Sequence, residues 1–270
     1  MDDARPSTGR YLAELGVDPL PPRTSPIDPG YDPATLEAHL EQSAHLMSIL
    51  KLSMTTWLIA DEAATRRKIA AAGAHMVPTI AGGGAFEIAV AQNRLHAYLD
   101  LCAELGFDRV ECGEGFTDMP MAPAEVVQAA RDRGVEVEFE LGKKHEGAFT
   151  ERTMDKLLLR GGEWLDAGAL ALVIEARESA SGVGLFDEHG NLDAQAAQRF
   201  ADEFGLDRVI FEAPAKRSQF ALLDHFGPEV HLSNVRLEEI LRVEIYRRGL
   251  HADSFRNPRL SPRGDALSSS

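Results

Sequence analysis

The stretch VEVEFELG, residues 135–142, alternates apolar and acidic side chains and ends in glycine. Successive side chains of a β-strand point to opposite faces, so the apolar residues share one face and Glu136, Glu138 and Glu140 share the other. Three carboxylates on one face repel one another unless water, cations or a metal ion surround them. The stretch therefore predicts a strand with one apolar face and an opposite face that gathers negative charge.

Similar strand-like stretches recur along the chain and alternate with amphipathic segments. The strand candidates lie near residues 52–60, 75–83, 108–115, 135–142, 170–176, 207–214 and 229–235. The segments between them, such as DEAATRRKIAAAG, carry apolar residues at three-to-four spacing and end near a glycine, which is typical of helices. This alternation predicts βαβ units around a parallel sheet. Seven strands, with one more in the N-terminal part, fit a single-domain α/β fold of the (β/α)8 TIM-barrel type, usually about 250 residues long.

An open, doubly wound sheet is the alternative architecture, because it also alternates strands and helices. No Gly-x-Gly-x-x-Gly follows the first strand candidate, which weakens a dinucleotide-binding version of that fold. The two ends of the chain differ from its middle. Residues 1–35 are rich in proline and predict an irregular N-terminal arm, and residues 258–270 predict a flexible tail. The barrel is expected over residues 36–257.

Composition limits the class of partner. The formal net charge of −15 argues against nucleic acid and against an anionic membrane surface as partners. No apolar run approaches the length of a membrane span, and the first ten residues are polar, unlike a secretory signal. Cys102 and Cys112 form neither a metal-spaced set nor a disulfide framework, so we expect buried free thiols and a cytoplasmic location. Anionic small substrates require a local cluster of cations.

Four predicted strands carry a glutamate near their C-terminal ends. These residues are Glu111, Glu140, Glu175 and Glu212. The apolar neighbours in each strand are expected to face the helices, so the glutamates fall on the inward face, at the end where barrel enzymes place their chemistry. A single acidic residue at a strand end is as often a solvated loop residue or a helix N-cap. Four at matching positions predict a shared site.

Basic residues accompany these glutamates, as carboxylates brought together inside a barrel require. Lys143 and Lys144 follow Glu140, Arg177 follows Glu175, Lys216 follows Glu212, and Lys51 precedes the first strand candidate. Carboxylates beside lysines suit Mg²⁺, which prefers oxygen ligands and often binds together with a phosphate or carboxylate substrate. The histidines show no zinc-like spacing, so zinc is not expected.

The stretch AGGGAFEIA, residues 81–89, adds a glycine-rich turn between a strand and a helix. Glycines let backbone N–H groups approach an anion at the N-terminus of the following helix. Many strand-to-helix loops need a glycine for geometry alone, so the turn is weak evidence by itself. Together with the helix that follows, it predicts phosphate or carboxylate binding at Gly83 and Gly84.

The motifs GGGAFEIA, ELGKK, VIEARES, FEAP, GPEVHLSNV and RRGLHADSF, in this order, resemble those of the phosphosulfolactate synthase family. The resemblance covers about residues 45–256. It implies a (β/α)8 barrel that adds sulfite to the methylene carbon of phosphoenolpyruvate with Mg²⁺, giving (R)-2-phospho-3-sulfolactate, a route to coenzyme M in methanogens. Plant heat-stress-associated relatives, whose role is less clearly enzymatic, also belong to the family. The family and the proline-rich arm together suggest a homo-oligomer.

The resemblance also implies roles for particular residues. The catalytic set is Lys143 as proton donor with Glu140 and Glu175. The metal ligands come from Glu111, Glu140, Glu175 and Glu212. The substrate-binding residues are Lys51, Gly83, Gly84, Arg177, Lys216 and Asn234. Arg247, Arg248 and Asp253, near the end of the fold, can instead be structural.

Three stretches depart from the family's pattern. Residues 51–56 read Lys-Leu-Ser-Met-Thr-Thr where the family has Lys-Phe-Gly-x-Gly-Thr, so side chains replace both glycines. Cys-Gly-Glu-Gly at 112–115 replaces Ser-Asp/Asn-Gly, and His231 and Ser233 stand where Asn and Gly are common. All three stretches are expected at the barrel mouth. They leave two alternatives open: phosphoenolpyruvate chemistry with another small nucleophile or enol substrate, and a non-catalytic, stress-associated barrel.

Overall fold

Eight parallel strands close into a barrel in the computed structural model, which describes residues 6–260. The strands are β1 (Thr24–Asp28), β2 (Leu50–Leu52), β3 (Thr79–Ala81), β4 (Arg109–Gly113), β5 (Glu136–Leu141), β6 (Ala171–Ile174), β7 (Val209–Glu212) and β8 (His231–Arg236). They follow one another in chain order, and β8 pairs with β1. The predicted (β/α)8 barrel is confirmed, and this pairing excludes the open sheet.

Helices surround the barrel and connect consecutive strands. The α-helices are α1 (Ser7–Glu14), α2 (Pro33–Ser43), α3 (Thr56–Ile59), α4 (Glu62–Ala74), α5 (Gly83–Ala91), α6 (Leu95–Leu105), α7 (Pro123–Arg131), α8 (Glu151–Ala167), α9 (Ala194–Phe204), α10 (Lys216–Phe226) and α11 (Ile240–Arg247). Short 3₁₀ turns lie at Ala44–Leu46, Leu206–Arg208 and Leu237–Glu239. Within residues 6–260 no helix has the length and apolar character that crossing a membrane requires.

Local sequence explains where these helices begin. The Asp32 side chain accepts hydrogen bonds from the backbone N–H groups of Ala34 and Thr35, and Pro33 occupies the first position of α2. This combination caps a helix N-terminus and fixes its first backbone angle. In α8, the Thr150 hydroxyl accepts from the Thr153 N–H in the same way.

The two faces of the strands lie in different surroundings, as the alternation predicts. Outward residues of the strands, including Val110, Phe139 and Phe211, belong to one continuous buried apolar cluster with the helices. Phe139 stacks on Trp164 of α8 with ring centroids 4.1 Å apart. A second, small cluster fills part of the barrel interior, and its members are Ala171, Val173 and Ile210. The outer layer therefore holds the main core and leaves interior positions for polar side chains.

The N-terminal segment departs from the prediction of an irregular arm over residues 1–35. Its residues 7–14 form α1, and residues 24–28 form β1, the eighth strand that the barrel needs. Proline in this segment favoured an irregular structure, because it lacks the N–H that a central strand donates. The pairing of β1 with β8 shifts register between Thr24 and Pro26, and this irregularity accommodates the proline. Residues 1–5 lie outside the described part of the chain.

The strand candidate at 52–60 is wrong over most of its length, because β2 ends at Leu52 and α3 follows. Met54 adopts a positive φ of 51°, which ends the extended conformation. The Thr56 hydroxyl donates to the Ser53 carbonyl at 2.8 Å, and Trp57 is buried against the edge of Phe107. The predicted tail lies mostly outside the described residues, which end at the buried Leu260. Cys102 and Cys112 are buried free thiols.

Candidate active site

A cavity of about 840 Å³ opens at the C-terminal ends of the strands. Six of its ionisable lining residues are joined by ion pairs, and we call them the mouth cluster: Lys51, Glu111, Glu140, Lys144, Glu175 and Glu212. The four glutamates are only 1–4% exposed. The placement of these carboxylates on the inward face of the barrel is therefore confirmed.

The alternation in β5 continues below the cavity. Glu138 is also buried on the inward face, where its backbone pairs in register with Glu111 of β4. Arg109, at the start of β4, lies 2.7 Å from Glu138 through its Nη1 atom. Glu136 at the start of β5 is exposed. The stretch 135–142 thus places Glu136 at the hydrated edge, Glu138 deep inside the barrel and Glu140 at the mouth.

Lys51 lies between two carboxylates at the centre of the mouth cluster. Its Nζ atom lies 2.6 Å from Glu111 Oε2 and 3.5 Å from Glu212 Oε1. It also donates to Asn234 Oδ1 at 3.1 Å, and the Asn234 amide donates to Glu212. Burial lowers the pKa of Lys51, but Glu111 and Glu212 outweigh burial and raise it above its ordinary value. Lys51 is therefore a buried ammonium ion.

Lys144 bridges the other two carboxylates. Its Nζ atom lies 3.0 Å from Glu140 Oε1 and 2.7 Å from Glu175 Oε2. Burial lowers the pKa of Lys144, whereas Glu140 and Glu175 raise it by more, so the pKa lies above its ordinary value. The side chain is 29% exposed, which gives the ammonium access to the cavity. Lys144 therefore carries a proton at neutral pH and can present it there.

Backbone N–H groups hold the remaining oxygens of three carboxylates. Glu111 Oε1 accepts from Gly83 at 3.1 Å, and Glu212 Oε2 accepts from Ala176 at 2.9 Å. Glu175 Oε1 accepts from Arg177 at 2.5 Å. Bonds of this kind to an ionised acceptor are among the stronger ones in proteins. They fix the carboxylates, and they also mean that the Gly83 N–H is directed at Glu111.

Negative charge is in excess in the mouth cluster, since four carboxyl groups face two lysines. Burial raises the pKa of Glu140, and repulsion from Glu175 raises it further. The pKa of Glu175 is raised by burial and then by Glu212, and that of Glu212 is raised by burial although Lys51 opposes the rise. The cluster is thus short of positive charge by two when all of its groups are ionised.

Oxygen ligands and an excess of two negative charges are the chemistry that suits a hard divalent cation. Within residues 6–260, no three carboxylate, histidine or cysteine side chains come close enough together to form a metal site of their own. Mg²⁺ commonly binds to one or two carboxylates and completes its shell with water and substrate oxygens. The donors present fit that mode of binding, and they do not fit a site built from protein ligands alone.

Comparison with known proteins agrees with this geometry. The model of the (2R)-phospho-3-sulfolactate synthase (ComA) family matches residues 22–253. The chain belongs to this family. It is 32% identical to the phosphosulfolactate synthase of Methanocaldococcus jannaschii over 85% of this chain and 92% of that protein. It is 27% identical to the phosphosulfolactate synthase of Bacillus subtilis over 85% and 90% of the two chains. It is therefore an enzyme of the lyase/synthase type.

Solved structures with more distant sequences share the fold. Orotidine 5'-phosphate decarboxylase from Pyrococcus horikoshii superposes with a TM-score of 0.54 at 9% identity, over 84% of this chain and 99% of that one. 3-Hexulose-6-phosphate synthase from Salmonella typhimurium gives 0.52 at 11%, over 91% and 99%. At such identities the likeness shows the barrel fold alone.

In this member of the phosphosulfolactate synthase family, most predicted site residues line one cavity. They are Lys51, Gly83, Gly84, Glu111, Glu140, Glu175, Arg177, Glu212 and Asn234. The exposed Arg177 donates to the Lys144 carbonyl at 3.2 Å and forms no ion pair within residues 6–260. Arg236, at the end of β8, also lines the cavity and was not predicted. Like Arg177, Arg236 forms no ion pair with a carboxylate of the described residues.

Lys143 and Lys216, in contrast, do not reach the mouth cluster. Lys143 Nζ lies 3.4 Å from the Thr117 carbonyl, and it is Lys144 that enters the cavity. Gly142, with φ of 129°, turns the chain after β5, so strand alternation no longer fixes the direction of the two lysines. Lys216 begins α10 and lies over the ring of Phe220, 4.9 Å from its centroid.

Three residues of the cavity lining are strained. Met54, Arg177 and Asn234 all have a φ between 51° and 56°, a left-handed conformation that is uncommon outside glycine. Such backbone strain persists where the surrounding structure imposes it, and it often occurs at functional sites. These residues lie in the loops after β2 and β6 and near the end of β8, so each strained position borders the cavity.

The expectation that His231 lies near the mouth is wrong, because it begins β8 at the opposite end of the barrel. There its ring contacts Arg23, and burial, Arg23 and Arg247 together lower the pKa of His231 to about 4. Arg247 and Arg248 also lie at this end, with Glu244 and Thr24, and we call these four residues the floor cluster. Their position fits the structural alternative stated above. Asp253 is exposed and lies 3.7 Å from Lys216.

Proposed function

We propose that this enzyme adds sulfite to phosphoenolpyruvate to form (2R)-2-phospho-3-sulfolactate. The observation that carries the proposal is Lys144, a protonated lysine between Glu140 and Glu175 at a cavity that holds further cations. An addition to an enol ester next to a carboxylate has two requirements. It needs charges that hold anionic reactants, and it needs an acid that delivers one proton.

The bond changes define the acid's role. The sulfur lone pair of sulfite forms a bond to the methylene carbon, and the carbon–carbon π electrons move towards the adjacent carbon and its carboxylate. A proton must then reach that adjacent carbon, which becomes the stereocentre. We assign this proton to the Lys144 ammonium instead of Lys143, because Lys144 lines the cavity and Lys143 faces Thr117. Glu140 and Glu175 keep the ammonium protonated and aimed.

The anionic groups of the reactants need partners that the mouth cluster does not already neutralise. Arg177 and Arg236 line the cavity without an ion-pair partner in the described chain, so they are the proposed partners of the phosphate. Lys51 and Asn234, deeper in the barrel, already contact Glu111 and Glu212, so they would bind the carboxylate or sulfite of a reactant only by exchanging those contacts. Gly84, at the start of α5, has open space on its Cα, where an anion can approach the helix N-terminus.

We also propose that the enzyme uses Mg²⁺, held by one or two of the carboxylates Glu111, Glu140, Glu175 and Glu212. When bound, the ion supplies stabilisation of the negative charge that develops on the substrate carboxylate. The excess of carboxylates over lysines in the mouth cluster supports this choice of cation. A cation bound there would also reduce the repulsion between these carboxylates and a reactant that carries several negative charges.

A second candidate is the same addition with another small nucleophile or enol substrate. The observation that favours it is the loop after β2, where Ser53, Met54 and Thr55 line the cavity. Ser53 is 4% exposed, and its hydroxyl has no hydrogen-bond partner within residues 6–260. A hydroxyl in that position narrows the cavity and can bind a polar group of a reactant.

Incubation of the purified protein with phosphoenolpyruvate, Mg²⁺ and sulfite, followed by mass spectrometry, tests the proposal. We expect a new product with the combined mass of phosphoenolpyruvate and bisulfite. Consumption only when another nucleophile replaces sulfite would favour the second candidate. No consumption with any nucleophile of a broad set would favour the non-catalytic alternative, and would contradict both enzymatic candidates.

A further inference from the structure

Glu87 is a buried carboxylate outside the cavity lining. It lies on α5, is 1% exposed and forms no ion pair with any basic side chain of the described residues. Its Oε2 atom accepts three hydrogen bonds from the loop after β4. The donors are Phe116 N at 2.8 Å, Thr117 N at 2.9 Å and Thr117 Oγ1 at 3.1 Å. A buried charge without a cation is costly unless hydrogen bonds satisfy it, so the loop and the carboxylate depend on each other.

The loop after β4 also contacts Lys144, which follows β5. The backbone N–H of Lys144 donates to the Gly115 carbonyl at 2.9 Å. Gly115 also lies directly between the two side chains, since a Cβ atom on it would lie 2.8 Å from Lys144 Cε and 3.1 Å from Glu87 Oε1. The lysine stem therefore packs against the backbone that Glu87 fixes, and an atom added there would displace it.

We propose that Glu87 is a positioning residue for Lys144. By holding residues 115–117, it fixes the path of the Lys144 side chain from its backbone to Glu140 and Glu175. Phe116, in the middle of this loop, is 46% exposed, so little apolar burial orders the loop and the hydrogen bonds to Glu87 take that role. The catalytic consequence of this inference rests on the proposed function, whereas its structural part does not.

Two variants of the full-length protein test the inference. Glu87→Ala removes all acceptors, and Glu87→Gln keeps one carbonyl oxygen that can accept from the loop. Leu99→Ala, in the fully buried core of α6, is the matched control for lost stability, because the apolar Leu99 side chain cannot hydrogen-bond to the loop. Each variant is assayed for kcat and for the KM of phosphoenolpyruvate. Each is also labelled with acetic anhydride, and mass spectrometry compares Lys144 with the exposed Lys156 in the same protein.

We expect Glu87→Ala to lower kcat about 10- to 100-fold, since small displacements of a reacting group have effects of this size. The KM should change less than about threefold, because the anion-binding residues are untouched. The labelling of Lys144 relative to Lys156 should rise several-fold. Glu87→Gln should restore most of both properties, and Leu99→Ala should lower stability while leaving both near wild type.

An unchanged labelling ratio in Glu87→Ala would overturn the inference, and so would a kcat within about twofold of wild type. If the wild-type protein itself shows no turnover, the proposed function fails, and the labelling ratio still decides whether Glu87 positions Lys144. The two failures are thereby distinguishable.

Discussion

The barrel carries a buried ionic network at each end, and the two networks have opposite charge balance. In the floor cluster, one carboxylate, Glu244, meets two arginines, Arg247 and Arg248. In the mouth cluster, four carboxylates meet two lysines. Both networks are largely removed from water, and the mouth cluster lines the cavity at the C-terminal ends of the strands. The difference indicates that the floor cluster stabilises the fold, whereas the mouth cluster can accept additional positive charge.

The pKa shifts express this contrast. Burial tends to raise the pKa of Glu244, but Arg247 and Arg248 outweigh it and lower the pKa below its usual range. For Glu140 burial and the neighbouring Glu175 both raise the pKa, and Lys144 opposes them without overcoming them. Every donor group of the Arg247 guanidinium has a partner on the protein, including the Pro228 and Val230 carbonyls at 2.6 and 2.8 Å. The buried Arg247 guanidinium therefore needs no further hydrogen-bond partner.

The largest expected effect concerns the mouth. Lys144→Met removes the proposed acid, and we expect kcat for the phosphoenolpyruvate reaction to fall by a factor of about 10²–10⁴. Lys143→Met is the matched control, since the hydrogen bonds of this neighbouring lysine in the described residues go to Thr117 and Asp118. It should retain turnover within about threefold of wild type. A larger loss in Lys143→Met than in Lys144→Met would reverse the assignment.

At the floor, loss of one charge should affect stability and leave chemistry intact. Arg247→Met leaves Arg248 as the cation paired with Glu244 and deprives several carbonyls of their donor, so we expect the free energy of unfolding to fall by about 3–5 kcal/mol. Urea denaturation measures this change. The kcat of the fraction that stays folded should match wild type. A variant with unchanged stability would show that the floor cluster does not stabilise the barrel.

A smaller effect is expected when a methyl group is added beside Lys144. Gly115→Ala places a Cβ atom 2.8 Å from Lys144 Cε, so the lysine must shift and kcat should fall about tenfold. Gly162→Ala is the control, because a Cβ there meets no atom within 4 Å. It should raise the free energy of unfolding by about 0.5–1 kcal/mol and leave kcat unchanged. Equal activity of the two variants would contradict the close packing at Gly115.

The smallest effects concern how stability depends on pH, and the two ends should respond with opposite sign. Glu140 binds its proton more tightly in the folded than in the unfolded state, so its contribution to stability is lost as the pH rises from about 4.3 through the raised pKa. The pKa of Glu244 is lowered, so its contribution is present above that range and is lost as the pH falls.

Urea denaturation over a pH series separates these contributions. Glu140→Gln should flatten the loss of stability on the alkaline side, and Glu244→Gln should flatten the loss on the acidic side. Parallel curves for the two variants would show that the clusters do not differ in charge balance.

The sequence predicts the barrel and the inward glutamates well, because both follow from strand alternation. Val110 and Phe139 alternate with Glu111 and Glu140, and the period of two fixes which side chains face the interior. The same reasoning fails where the strand ends. Beyond Gly142 the backbone turns, so strand alternation does not indicate which of two consecutive lysines, Lys143 or Lys144, enters the cavity.

Other features depend on contacts between distant segments. The nearness of Lys216 to Glu212 in the chain predicts a place at the site, but as the first residue of α10 it projects over Phe220 instead. Sequence spacing does not indicate a role for Glu87, because its partners include backbone N–H groups about 30 residues away in the sequence. Pro26 argues against a strand at β1, but a register shift in the pairing with β8 accommodates this proline. Loop geometry and long-range hydrogen bonds therefore limit what alternation and spacing can predict.

The most direct test of the central claim is the configuration of the product formed from phosphoenolpyruvate and sulfite in deuterated water. If Lys144 delivers the proton from one side of the cavity, the product should be the 2R form alone, with one deuterium on the carbon that bears the phosphate. Equal amounts of the 2R and 2S forms would mean that the solvent supplies the proton, and would contradict the account.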